Sequence, residues 1–278
     1  MNEIVAYFQK IPSAHRSFII IGGITLFWII ENGFPLFKFQ YNKWQHASIN
    51  IFFTITTIII NFTLAFILFK SSVWVTEKEF GILHWLSIKS LLLQAIIGLL
   101  LMDLIGAYSA HYVQHKTKIL WRFHLIHHTD TWIDTTSANR HHPGESVIRF
   151  IFTTLAVIIV GAPIWLFFLY QTTSVFLSQF NHANLNLPKK IDTIISYFIV
   201  SPNMHKVHHH YVLPYTDSNY GNIFSIWDRL FGTFLILPMD EIIYGVDTHM
   251  NPEEHNKLLS LLKIPFKSYR SPSIEAKK

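Results

Sequence analysis

Five histidines fall within eighteen residues of one another: His111, His115, His124, His127 and His128. Three more, His205, His208 and His209, follow in PNMHKVHHH, some eighty residues downstream. Imidazole suits iron, zinc, copper or nickel, and a neutral ring needs no countercharge, so many rings can converge on one site. Residues three and four apart share a helix face. His111 and His115 therefore pair on one stripe, and His124, His127 and His128 gather on another. His205, His208 and His209 repeat that triplet spacing. Two HxxHH triplets and one HxxxH pair supply eight rings, more than one tetrahedral or octahedral ion uses, so the natural count is two metals. His182, at the end of a long apolar stretch, is a ninth candidate.

The chain has no cysteine, which excludes disulfides, thiolate sites and a cysteine nucleophile and leaves nitrogen and oxygen as ligands. Twelve of the seventeen histidines lie between His111 and His210. The others read blandly: His15, His46 and His84 as polar anchors at a membrane interface, His249 and His255 as surface residues. His210 falls off its triplet's stripe and reads as a supporting residue rather than a ligand. His141 and His142 are left open.

Positioning these rings falls to membrane helices. Hydrophobic residues make up 50% of the 278-residue chain and charged residues 14%, against about 25% charged in an average soluble domain. Apolar spans are expected at 17–37, at 49–69, and from Ile82 to about Gly106, the last continuing past the membrane surface through His115. Residues 147–180 form one apolar run whose single helix would measure roughly 50 Å, too long for a ~30 Å hydrocarbon core. Gly161-Ala162-Pro163 breaks it at the midpoint, because proline removes a helical hydrogen bond. The run therefore reads as a hairpin that returns His182 to the face carrying His111–His128. Fifteen of the 22 Lys and Arg fall on that face, which the positive-inside rule makes cytoplasmic; Lys10 and Arg16 would then lie outside, against the rule. The net charge of +5 gives no argument for nucleic acid, since no arginine-rich run occurs.

HYVQH, FHLIHH and MHKVHH, in this order, resemble the histidine boxes of the fatty acid hydroxylase/sterol desaturase superfamily. Asp103 and Tyr108 before the first box resemble that family too. So do the R-x-H-P-x-E pattern at Arg140–Glu145, NHAN at 181–184, and NYGNIFSIWDRLFGT from Asn219 to Thr233. The resemblance covers roughly 95–235. It implies a membrane-bound, non-haem di-iron oxidoreductase that uses dioxygen to hydroxylate or desaturate a fatty acyl, sterol-like or related lipid, in lipid biosynthesis. Carried over by position, the iron ligands are His111, His115, His124, His127, His128, His205, His208 and His209, with His182 in addition. Zinc can substitute in a purified protein. Asp103, His142, Glu145 and Asp228 become the residues expected to support the ligands. One position departs from some branches: where fatty acid 2-hydroxylases carry a further histidine four residues before the one matching His182, this chain has Ser178. Asn181 or water is then expected to complete the second metal.

The expected architecture is an all-α integral membrane protein of four to five transmembrane helices with a cytoplasmic helical cap over a polyhistidine di-metal site. It divides into N-terminal membrane helices (1–94), a catalytic domain (95–235) and a polar cytoplasmic tail (236–278). No Rossmann fingerprint, P-loop or cytochrome segment appears, so electrons must come from a separate donor, a ferredoxin or a b-type cytochrome with its reductase. Two other classes compete. A zinc-dependent membrane hydrolase is weakened because no box histidine is followed by glutamate. A non-enzymatic metal-binding membrane protein would carry its histidines within spans or in a flexible loop.

Overall fold

The computed structural model describes residues 1–272; the last six residues of the expected tail lie outside the described ones. Among these the regular structure is helical, joined by three isolated β-bridges. Four segments are long and apolar enough to cross a membrane: Ser13–Gly33, Lys43–Trp85, Leu91–Lys116 and Pro143–Val160.

A short α1 (Asn2–Gln9) precedes α2 (Ser13–Gly33), and Asn42 caps α3 (Lys43–Glu77) by accepting from the Gln45 N–H. Phe18, Phe62 and Phe66 stand 75%, 84% and 67% exposed on α2 and α3. Exposure of that size on apolar helices marks a lipid-facing surface. At 35 residues, α3 is about 50 Å long and outruns the hydrocarbon core at its ends.

The third span starts later than the sequence suggests. A one-turn α4 (Ile82–Trp85) is followed by Ser87, whose φ of 49° is left-handed. Ser90 then caps a new helix, α5 (Leu91–Asp103). That helix runs without interruption through a π-helical turn (Leu104–Ser109) into α6 (Ala110–Lys116). Ser109 Oγ donates to the Leu104 carbonyl at 2.7 Å inside the wide turn. A π-turn inserts an extra residue and re-aims whatever follows it, here the face carrying His111 and His115.

The expected hairpin is present. α8 (Pro143–Val160) ends at Gly161, left-handed at φ 74°, and Pro163 starts α9 (Ile164–His182). A Cβ on Gly161 would lie 2.4 Å from the Phe80 carbonyl oxygen, and one on Gly81 2.4 Å from the Gly161 nitrogen. Only glycine fits where the tip of the hairpin meets the 78–81 turn. Ser72 on α3 closes the corner by donating to the Ala162 carbonyl.

One end of each span thus meets the histidines. α7 (Lys118–His128), α10 (Lys189–Ser196), α11 (Pro202–His208), α12 (Ile226–Leu230), α13 (Pro252–His255) and α14 (Leu258–Lys263) pack around that end. Glu31 at the foot of α2 accepts from the Thr135 and Asn184 N–H groups, so the N-terminal helices are tied to the histidine-bearing loops. Within the described part of the expected tail, Val246, Leu261 and Ile264 share a buried cluster with Phe53, Leu125 and Ile126.

Candidate metal centre

The eight histidines singled out by spacing converge with His182, in two groups. His111, His115, His124, His128 and His208 form one; His127, His182, His205 and His209 form the other. Within each, one ring nitrogen per residue lies within 4.8 Å of all the others. All nine residues are buried. The HxxHH triplets are split between the groups, because adjacent residues on a helix diverge by about 100°: His127 and His128 point to different centres, as do His208 and His209.

The hydrogen bonds of the outer nitrogens fix which nitrogen faces inward. His111 Nδ1 lies 2.8 Å from the Tyr220 carbonyl, His208 Nδ1 2.6 Å from that of Ser218, and His124 Nδ1 2.7 Å from Glu145 Oε1. His115 Nδ1 lies 3.2 Å from Asp217 Oδ1. In the second group, His182 Nδ1 meets the Ser178 carbonyl and Asn181 Oδ1, both at 2.7 Å. Carbonyls and carboxylates only accept, so each Nδ1 carries the proton and each Nε2 is a bare lone pair. Those lone pairs are pressed together. His111 Nε2 and His124 Nε2 stand 3.0 Å apart, and His182 Nε2 is 3.1 Å from His127 Nε2 and 3.0 Å from His205 Nε2. The inward Nε2 atoms of His115 and His208, and both ring nitrogens of His128, are buried with no protein partner. Converging unprotonated nitrogens in a dry interior fit a cation and little else.

Electrostatics agree. Burial, and then the neighbouring rings, holds His127, His128, His205, His208 and His209 well below the ordinary histidine value. They are neutral at pH 7, the protonation state a metal ligand needs.

The other expected residues take distinct places. Glu145 touches a ring of the cluster directly, whereas Asp103 and Asp228 act through the 220–224 loop. Asp103 accepts from the Ile223 and Phe224 N–H groups and Trp227 Nε1; Asp228 accepts from the Tyr220 and Gly221 N–H groups. That loop presents the Tyr220 carbonyl to His111. His142 meets none of the nine rings: it caps α8 by accepting from the Gly144 N–H and packs against Phe123. His141 stacks 5.1 Å from His127 and lies 3.7 Å from Glu145. His210 accepts the Ile243 N–H, facing the C-terminal segment. Asn181 orients His182 instead of joining the inward nitrogens.

Three bland readings give way. His46 is no interfacial anchor; it is 4% exposed, with Nε2 2.9 Å from both Asp130 oxygens. Burial pushes Asp130 up, but the His46 and Arg140 charges and the Ser137 hydroxyl outweigh it and hold it well below the usual range. Arg140, fully buried beside this pair, donates to the Ile126 carbonyl, Asn50 Oδ1 and the His255 carbonyl, joining α7, α3 and the C-terminal segment. His249 and His255 are buried as well, under the packing of residues 246–264. The sequence also hid Lys206, wholly enclosed between two ring-bearing positions, its Nζ donating to the Ala183 carbonyl. Periodicity marks it as part of a helix but says nothing of a buried amine.

Helical spans and two buried all-histidine groups that could each hold a metal ion define a multi-pass membrane protein with a histidine-rich site. The chain belongs to the fatty acid hydroxylase family, whose model matches residues 95–233. It is 30% identical over 142 residues to the ornithine lipid hydroxylase OlsE of Rhizobium tropici, covering 51% of this chain and 41% of that protein. It is 30% identical over 144 residues to the alkylglycerol monooxygenase of Danio rerio, covering 52% and 31%. The human alkylglycerol monooxygenase is 29% identical over 161 residues, covering 55% and 33%. The match thus spans less than half the length of each of these relatives. No solved structure matches the chain.

Proposed function

We propose that the protein is a membrane-bound non-haem di-iron oxidoreductase that uses dioxygen to hydroxylate or desaturate a lipid. The observation that carries this reading is the pair of adjacent buried groups, in each of which one nitrogen per ring lies within 4.8 Å of all the others. His111, His115, His124, His128 and His208 would hold one iron and His127, His182, His205 and His209 the other, with residues 95–235 as the catalytic domain. Five imidazoles exceed the four positions zinc prefers, whereas either group would leave positions free on an iron that accepts six ligands. Iron with open positions activates dioxygen, the oxidising power that no side chain supplies. Hydroxylation then takes a C–H bond, O2, two electrons and two protons to C–OH and water; the electrons come from a separate donor protein on the cytoplasmic face.

The chain's own part is to orient and to exclude water. Glu145, Asp217 and the Tyr220, Ser218 and Ser178 carbonyls hold the rings in one tautomer. The relatives named as lipid hydroxylase and monooxygenase support the substrate class. Lipid extracts of cells expressing the wild type are expected to contain a species with one added oxygen or two fewer hydrogens, lost in His208→Ala. The same product from His208→Ala would remove the assignment.

A further inference from the structure

Arg149 is the one Lys or Arg in α8, its seventh residue, and beyond it the helix is apolar save for Thr153 and Thr154. It lines the same cavity as His111, His124, His127, His182 and His205. Helical side chains lean toward the N-terminus, which here carries the guanidinium back toward the rings. Among the described residues, the one carboxylate oxygen within 4 Å of it is Glu145 Oε1 at 3.9 Å, beyond hydrogen-bond reach. That oxygen is already engaged by His124 Nδ1 at 2.7 Å. Apart from this long ion pair, the guanidinium makes no hydrogen bond among the described residues, and its side chain, 30% exposed, lines the cavity. An ionised side chain in a spanning helix is costly, and such residues mark substrate or ion sites.

The charge count of the site points the same way. Nine neutral imidazoles leave the charge of two divalent ions uncompensated. The carboxylates touching the rings are Glu145 and Asp217, and Asp217 is shared with Lys116 at 2.6 Å. Arg149 adds a further positive charge in a low-dielectric setting, where opposite charge is strongly attracted. Beside it the cavity wall combines small side chains, Ala107 and Ala138, with the polar Ser178 and Asn222.

We propose that Arg149 anchors an anionic group, carboxylate or phosphate, of the lipid substrate, so that oxidation falls on a carbon close to the lipid's polar end. Because Arg149 and the rings share one cavity, an anion held there leaves carbons a few bonds away opposite the metals, while the acyl chain extends into the bilayer. A guanidinium suits this task, since its planar fork meets either anion with two parallel hydrogen bonds.

This inference rests on the lipid-oxidase reading, so binding and oxidation are measured separately. The probes are radiolabelled palmitate, hexadecyl phosphate and hexadecanol, presented to the full-length, iron-loaded protein in an uncharged maltoside detergent. The wild type is expected to bind one of the anions about tenfold more tightly than the alcohol. Preference between the two anions tells carboxylate from phosphate. Arg149→Gln is expected to abolish the anion preference and leave hexadecanol binding unchanged. Arg149→Lys, which keeps the charge and loses the fork, is expected to weaken anion binding several-fold; it decides the matter if the Gln variant does not fold. Equal binding of all three probes by the wild type, or anion affinity unchanged in either folded variant, overturns the proposal. Oxygen uptake is read in parallel. An anion preference that depends on Arg149 without any uptake upholds the subsite and sinks the oxidase reading. Oxidation of palmitate and hexadecanol alike by wild type and Arg149→Gln does the reverse.

Discussion

At the level of single residues the two centres are built unequally. Four of the five rings in the His111 group are held from behind, by Tyr220, Asp217, Glu145 and Ser218. In the His127 group only His182 is held so, and the Nδ1 atoms of His127, His205 and His209 have no protein partner. Partners of this kind typically change metal affinity by about 10–100-fold. Stepwise chelation of the iron-loaded protein is therefore expected to remove one iron before the other. The His127→Ala variant should retain the more slowly released ion, and His124→Ala the more easily released one. Release of both irons in a single phase, with both variants alike, would contradict this asymmetry. The ring identities were legible because helical spacing groups them. Their partition was not, since whether His127 and His128 serve one ion or two depends on where α11 lies. Two supporting partners, the Tyr220 and Ser218 carbonyls, are backbone atoms that no residue type announces.

At the level of elements, the device that returns His182 to the site is the α8–α9 hairpin. Its break was legible in Gly161-Ala162-Pro163, because proline and a left-handed glycine have chemical signatures. The break at 86–90 lacked one: Ser87 takes a left-handed φ there without glycine or proline to mark it. Gly161→Ala adds a Cβ at φ 74° against the Phe80 carbonyl and the His84 ring. The left-handed conformation alone costs about 1–2 kcal/mol, and the clash adds to it. Thermal unfolding in detergent is expected at a temperature several degrees lower, with metal content falling alongside as His182 loses its register. An unchanged melting temperature would show that the corner yields freely. His46, Asp130 and Arg140 lie at the opposite end of legibility. His46 reads as a polar interfacial anchor and Arg140 as the first residue of a family pattern, and only the packing of α3, α7 and the C-terminal segment joins them with Asp130 in a buried network.

For the whole molecule, the spans deliver all nine rings to one side of the bilayer, and the basic residues concentrate there. The fold class was legible because apolar length and charge bias are sums over many residues, insensitive to local error. The closeness of the last segment was not, since Leu261 and Ile264 bury a surface too short to show periodicity. The cysteine-free chain allows a clean test of orientation. Single cysteines replacing Lys190 or Lys257, both exposed on the histidine side, are expected to react with an impermeant maleimide in inverted vesicles only. Cysteines replacing Lys78 or Lys89, exposed at the far end, should react in right-side-out vesicles only. The reverse pattern would place the metal centre outside the cytoplasm.

Metal analysis of the purified protein decides whether the two histidine groups together hold two irons. Grown with sufficient iron and extracted in mild detergent, the wild type is expected to carry about two irons per chain, the count set by two distinct groups of nitrogen ligands. His127→Ala and His208→Ala, one from each group, should each lose iron while still inserting into the membrane. Stoichiometric zinc with no iron-dependent oxygen uptake, or full iron content in both variants, would contradict the account.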